Sequence, residues 1–290
     1  MSDRSGPSLT FNSADPRASI HQATMQDRRT AAILARRRRR MQILLCQILC
    51  FVVLIGLWQW QTATGHVSAF LYGSPSGIFA ALIATIRDGS VWTDLTATAL
   101  ETLAGFALGN IIGTTLGLSL WYSRFISQVL QPFILALGSI PIIALAPITI
   151  IWFGTGFASK VAMSTLSVVV VSIIIAYKGA MGVDPDQINL MLSLRASRQK
   201  IFRLIVIPAS MTDIFAGLKL TVGFALVGAI VGEFMSSTNG LGHEIFKAGS
   251  LYAISAVFAE LVVTVILALV LSSIVTRVER WLLPWRHDLS

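Results

Sequence analysis

The chain has 290 residues, of which 54% are hydrophobic and only 12% charged, with a formal net charge of +8. Several apolar runs reach the roughly 20 residues that a helix needs to cross a bilayer, which excludes an ordinary soluble domain and indicates a polytopic membrane protein. The positive charge is concentrated between those runs, where it orients insertion, so it gives no reason to expect a nucleic-acid partner.

Residues 1–40 are rich in Ser, Asp, Gln and Arg and too poor in apolar side chains to offset the entropy of ordering, so a mostly disordered, basic cytoplasmic tail is expected. Its end, Arg36 to Arg40, abuts an apolar run and reads as a topology anchor. Residues 41–290 then form the transmembrane domain. The first span, Met41 to Trp60, places Trp58 and Trp60 at its outer interface, and the basic leader before it is too long for a signal peptide. Cys46 and Cys50 stand four residues apart on this span, too few for a closed zinc site and badly directed for a disulfide, so they read as small packing residues.

Beyond it, Ser74-Pro75-Ser76 has the form of a helix start, and Ile78, Leu82, Ile83 and Ile86 mark an apolar stripe of an interfacial helix on the outer side. Five further spans are expected near Ala97–Leu120, Val129–Trp152, Val161–Ala180, Ile214–Phe234 and Ala253–Val275. Six spans put both termini on one side. With that side cytoplasmic, every Lys and Arg falls there except Arg87, Lys160 and Lys247.

The second span carries Gly105, Gly109, Gly113 and Gly117 at a constant spacing of four, and the fifth carries Gly228 and Gly232. Such stripes let a neighbouring helix approach backbone to backbone, where dispersion and weak Cα–H contacts stand in for a hydrophobic drive that lipid cannot supply. Acids inside spans cost several kcal/mol, of order 2.5–3.5 at a helix centre, unless paired or hydrated. Glu101 and Glu233 lie near outer ends, while Glu260 sits deeper and is the stronger candidate for an interhelical hydrogen bond or a pore-facing group. They form no chain of carboxylates of the kind a proton relay would use. No phosphate-binding glycine loop or paired-histidine zinc motif occurs, and His21, His66, His243 and His287 are scattered, so the chain is expected to have no enzymatic activity of its own.

Between the fourth and fifth spans lies a basic amphipathic loop, about residues 181–212. Asp184 can cap a helix that begins at Pro185, and Ser197 can cap a second short helix that should stop at Pro208. That second helix would present Ile201, Phe202 and Ile205 as an apolar knob with Arg198, Lys200 and Arg203 around it. On periodicity alone it would lie on anionic lipid.

The run Leu194-Arg195-Ala196-Ser197-Arg198-Gln199-Lys200-Ile201-Phe202-Arg203-Leu204-Ile205-Val206-Ile207-Pro208 resembles the Glu-Ala-Ala coupling loop of ABC importer permeases. Glu101–Gly109, Ser139–Pro147, Ile151–Gly156 with Ser159-Lys160, Asn239–Gly242, and Arg277–Trp281 with Trp285-Arg286 resemble the nitrate, sulfonate and taurine branch of that family. The resemblance covers roughly residues 70–287. It implies an all-α type I importer permease fold in a bacterial cytoplasmic (inner) membrane. It further implies a pair of permease subunits, a homodimer by default with a heterodimer as the alternative, a cytoplasmic ABC ATPase pair that holds ATP and Mg, and an extracytoplasmic substrate-binding protein. This chain would bind no cofactor itself. Ser197 to Ile205, with Pro208, would be the ATPase-coupling segment, and Ser139, Trp152, Thr221, Glu233 and Glu260 candidates for the pathway. Family cargoes are small oxyanions, sulfonates and taurine, with heterocyclic vitamins or precursors among relatives. Two departures stand out: Asn189-Leu190-Met191 occupy the place of Glu-Ala-Ala, and Arg195 stands where the family has Gly, a strain if the backbone there has positive φ.

Overall fold

The computed structural model of the chain describes residues 16–282, with side chains at Arg38, Arg39 and 41–281. The start of the expected tail, its side chains Arg36, Arg37 and Arg40, and the terminal Trp285, Arg286 and His287 lie outside the described residues. Twelve α-helices follow in order: α1 (Pro16–Ala63), α2 (Ala69–Tyr72), α3 (Pro75–Asp88), α4 (Ser90–Ser119), α5 (Arg124–Gly138), α6 (Ala146–Phe153), α7 (Phe157–Met181), α8 (Pro185–Ser193), α9 (Arg198–Ile201), α10 (Ile207–Ser236), α11 (Leu241–Ser250) and α12 (Ile254–Leu282). No strand occurs among the described residues.

Two units divide at Gln61 and Thr62. The first is α1, whose Met41–Ala63 part is long and apolar enough to cross a membrane. Residues 16–40, expected as an unordered tail, continue this helix N-terminally. Arg and Ala dominate that stretch, and both propagate a helix well once a span has nucleated it.

In the second unit, α4, α7 and α10 form the centre, and their register is set by the glycines. A Cβ on Gly105, Gly109, Gly113 or Gly117 would lie 2.2 to 2.7 Å from Ser164 Cβ, Val168 Cβ, Ser172 Cβ and Ala176 Cβ or nearby backbone of α7. Residue numbers rise together along both helices, so α4 and α7 run parallel. On the other face of α7, Gly228 would meet the Met163 carbonyl oxygen at 2.7 Å and Gly232 the Lys160 Cα at 3.1 Å, so α10 runs antiparallel to α7. Ser164 Oγ donates to the Ala225 carbonyl at 2.9 Å and fixes that crossing. Helix α12 packs Val263, Leu267, Leu271 and Val275 against Val222 and Leu226 of α10. An ion pair between Lys219 and Glu279 pins its far end.

The third expected span is broken. Arg124–Gly138 and Ile142–Phe153 meet at 91°. The bend falls at Gly138-Ser139-Ile140-Pro141, where Pro141 has no N–H to continue the ladder and a 3₁₀ turn, Ile142–Leu145, restarts it. Among the described residues five helices therefore qualify as spans by length and composition, or six if the bent pair counts as one.

Candidate functional site

At the end of the bundle where α4 and α7 finish, α8 begins as the sequence indicates: the Asp184 side chain accepts from the Asp186 N–H at 2.9 Å, with Pro185 in the first turn. It stops in a tight turn in which the Arg195 N–H donates to the Leu192 carbonyl and the Ala196 N–H to the Met191 carbonyl. Arg195 sits in the left-handed region, φ 55°, which an L side chain enters at a cost of roughly 1 kcal/mol. Ser197 caps α9 by accepting from the Lys200 N–H at 3.4 Å.

Two features of this segment differ from expectation. Pro208 does not end the helix. Phe202–Val206 forms a π-helical turn, and α9, the turn and α10 make one continuous run, Arg198–Ser236. The wider turn removes the clash of the proline ring with the carbonyl four residues back, which an α-helical path would enforce. Nor does the apolar knob point outward. Ile201 is 2% exposed and Val206 fully buried, in a cluster with Ala180 and Val183, with Phe202, Ile205 and Trp121 packed against it. The Phe202 ring lies 4.7 Å from Tyr122 and 5.5 Å from Trp121, and the Arg198 guanidinium stands 5.4 Å above the Trp121 ring. What remains outside is cationic and aliphatic: Arg198, Lys200 and Arg203 with Leu190, Leu192, Leu194 and Leu204. Pro208 is also exposed.

The opposite end is closed by a polar clamp. Thr98 Oγ1 donates to Glu233 Oε1 at 2.6 Å, and Glu233 Oε2 accepts from the Gly242 N–H at 2.6 Å. The Leu241 N–H donates to Thr98 Oγ1 at 2.9 Å and the Gly240 N–H to Asp94 Oδ1 at 2.7 Å. Gly240 has φ 112°, and a Cβ on it would strike the Glu233 carboxylate at 2.3 Å, so glycine is required there. Glu101, 5% exposed, stands beside Glu233 and Lys160, and the Lys160 ammonium donates to the Thr155 carbonyl. Sequence separation hid this cluster, since its members are divided among α4, α7, α10 and the start of α11.

At mid-depth, Asn110 is a hub that sequence reading passed over. Its Oδ1 accepts from Ser172 Oγ at 2.7 Å and Thr221 Oγ1 at 3.1 Å, and its Nδ2 donates to the Phe106 carbonyl at 2.8 Å. An asparagine beside a glycine stripe inside an apolar run was the available signal. Of the pathway candidates, Thr221 and Glu233 are fully buried in these contacts, and Glu260, 5% exposed, keeps Oε2 without a hydrogen-bond partner in the structure. Trp152 alone lines a cavity of about 520 Å³ between the broken span, α7 and α10, while Ser139 lies between two of its lining residues, Gly138 and Ile140. That lining is apolar apart from Thr149 and Ser167, whose hydroxyls donate to carbonyls of their own helices. Cys46 and Cys50 are exposed free thiols, and no group of three metal-ligating side chains occurs among the described residues.

Residues 109–285 match the family of binding-protein-dependent transport system inner membrane components. A protein named as a probable ABC transporter permease in Haemophilus influenzae is 30% identical over 79% of this chain and 92% of its own. A Bacillus subtilis permease named for aliphatic sulfonates is 28% identical over 81% of this chain and 86% of its own. One from Halalkalibacterium halodurans named for formylaminopyrimidine is 28% identical over 82% and 94%. Among solved structures, a chain of the MetNI methionine ABC transporter in an inward-facing conformation superposes with a TM-score of 0.58 at 18% identity, covering 64% of this chain and 93% of that one, which establishes a shared fold.

Proposed function

Because the chain belongs to the binding-protein-dependent inner membrane transport components, the ABC importer permeases, we propose that it is the membrane-spanning subunit that passes a small solute from an extracytoplasmic binding protein to the cytoplasm. Two copies pair with two cytoplasmic ATPase subunits that hold ATP and Mg, and both termini are cytoplasmic. The observation that carries this reading is the continuous helix Arg198–Ser236. Its first turns leave Arg198, Lys200, Arg203 and Leu204 exposed, and its last turns carry Glu233 into the clamp at the other end. A push from an ATPase cleft on the exposed turns reaches the opposite end along one element, as a two-state gate needs.

The broken span and the adjacent acids Glu101 and Glu233 are features that an ion-coupled carrier would also show. Here Glu233 Oε2 holds the start of α11 through the Gly242 N–H and Oε1 ties α10 to Thr98 of α4, so the carboxylate acts as a clasp rather than a relay.

The cargo is a small anion of the nitrate, sulfonate or taurine kind, as the branch resemblance and the sulfonate-named relative support. A second reading, a heterocycle, is favoured by the absence of any charged side chain from the 520 Å³ cavity and by the equal identity of the pyrimidine-named relative.

The test is ATP hydrolysis in proteoliposomes holding this subunit with its ATPase, its binding protein, and taurine or an aminopyrimidine. Hydrolysis stimulated by one of these ligands and falling to the unstimulated rate in Arg203→Glu and Leu204→Asp supports both importer and interface. Full stimulation in both variants refutes the interface, and uptake that persists without ATP refutes the importer.

A further inference from the structure

A second concavity, a groove of about 250 Å³, lies between α5 and α7 and is bounded by Leu120 at the end of α4. Its lining is graded along the helices. Toward the α8–α9 end it offers the Lys178 ammonium, Gln131, Tyr177 and Ser127, and deeper in the span it is walled by Ile134, Ile173 and Ile174. Helix α5 runs against α7, because the Tyr177 hydroxyl donates to Ser127 Oγ at 3.1 Å while a Cβ on Gly138 would touch Val170 at 3.2 Å. From Ser127 to Ile134 the groove therefore descends about 10 Å at 1.5 Å per residue, from polar to wholly aliphatic.

Lys178 is exposed, and among the described residues no carboxylate or hydrogen-bond acceptor pairs with it. A lone ammonium at the mouth of an apolar slot, at the membrane face where basic residues concentrate, is complementary to a molecule with an anionic head and a hydrocarbon tail. Arg124, one turn further out along α5, adds a second positive charge at the same end. The wall side chains are unbranched by polar atoms below Gln131, which suits an acyl chain and leaves a free anion nothing to gain at depth.

We propose that the α5–α7 groove binds one anionic phospholipid of the leaflet on the α8–α9 side, with its phosphate at Lys178 and Gln131 and one acyl chain along Ile134 and Ile174. The site is independent of the importer reading, since it needs only the fold and the bilayer. It also gives α5, which is otherwise lightly packed on α7, a filled flank.

The full chain is reconstituted in vesicles of equal phosphatidylglycerol and phosphatidylcholine, re-extracted in detergent, and its retained lipid measured by native mass spectrometry. Phosphatidylglycerol should be retained in excess. Lys178→Gln should lower it about fivefold, Lys178→Arg should keep it, and Ile174→Trp, which fills the apolar end, should lower it with the lysine intact. Equal retention of both lipids, or Lys178→Gln retaining phosphatidylglycerol as the parent does, overturns the proposal. Displacement of phosphatidylglycerol by millimolar inorganic phosphate would make this a free-anion site. Copy-to-copy cross-linking through Gln131→Cys, in a background lacking Cys46 and Cys50, would assign the groove to a second subunit; either result also overturns the proposal.

Discussion

Arg195 holds a backbone conformation that glycine takes freely, φ 55°, and nothing in the described contacts of its side chain offsets this. Arg195→Gly should raise the stability of the chain by about 1 kcal/mol, read as a higher midpoint of thermal unfolding in detergent. Asn110 acts in the opposite sense. Asn110→Leu would strand the Ser172 hydroxyl in a dry interhelical space, while Thr221 falls back on the Leu218 carbonyl, and a buried unsatisfied group costs about 1–3 kcal/mol. A clear fall in the unfolding midpoint is expected, partly restored by adding Ser172→Ala. The contrast shows what the sequence discloses at this scale. The strain at Arg195 was visible as a residue out of place in a turn motif. The Asn110 hub was not, because hydrogen bonds across 62 and 111 residues have no local signature, and the same holds for Asp94 and Thr98 in the clamp.

Among elements, the glycine stripe was legible because a repeat of four is a property of one helix, but its partner was not. The structure supplies α7, with backbone so close that Gly113 faces the Val169 carbonyl oxygen at 2.6 Å from any added Cβ. Gly113→Val should separate α4 from α7 and abolish recovery of folded protein in size-exclusion chromatography, whereas Gly56→Ala, with nothing near its Cβ position, should leave it unchanged. The caps at Ser74, Asp184 and Ser197 were also legible, each being a short-range contact between neighbours in the chain. The path through Pro208 was not. A proline in isolation argues for a stop, and only the tertiary burial of Ile201 and Val206 selects the π-helical turn that carries the helix past it. That burial makes the Trp121, Tyr122 and Phe202 rings the seat of the exposed turns. Trp121→Ala should loosen the seat without touching the outer cations, so that ATP hydrolysis in the assembled importer persists while uptake per ATP falls.

For the whole molecule, composition and charge placement indicated a polytopic membrane protein and the motif resemblance implied its all-α fold, whereas the 91° break in the third span emerged only from the structure, since hydropathy averages over a bend. Helix directions place Arg203 at one face of the bundle and Glu244 and Lys247, an exposed pair at 2.9 Å, at the other. In a background without Cys46 and Cys50, Arg203→Cys in intact cells should resist an impermeant maleimide and Lys247→Cys should react; the reverse pattern would invert the proposed orientation. The 39-residue helix from Arg198 to Ser236 is about 58 Å long at 1.5 Å per residue, nearly twice a hydrocarbon core of about 30 Å. One unbroken rod must then live in two solvents at once. Its amide hydrogens should divide into a stretch before Ile207 that deuterates first, slowed at the buried Ile201 and Val206, and a stretch inside the bilayer that stays protonated for hours, so the water line of this protein can be drawn along a single helix.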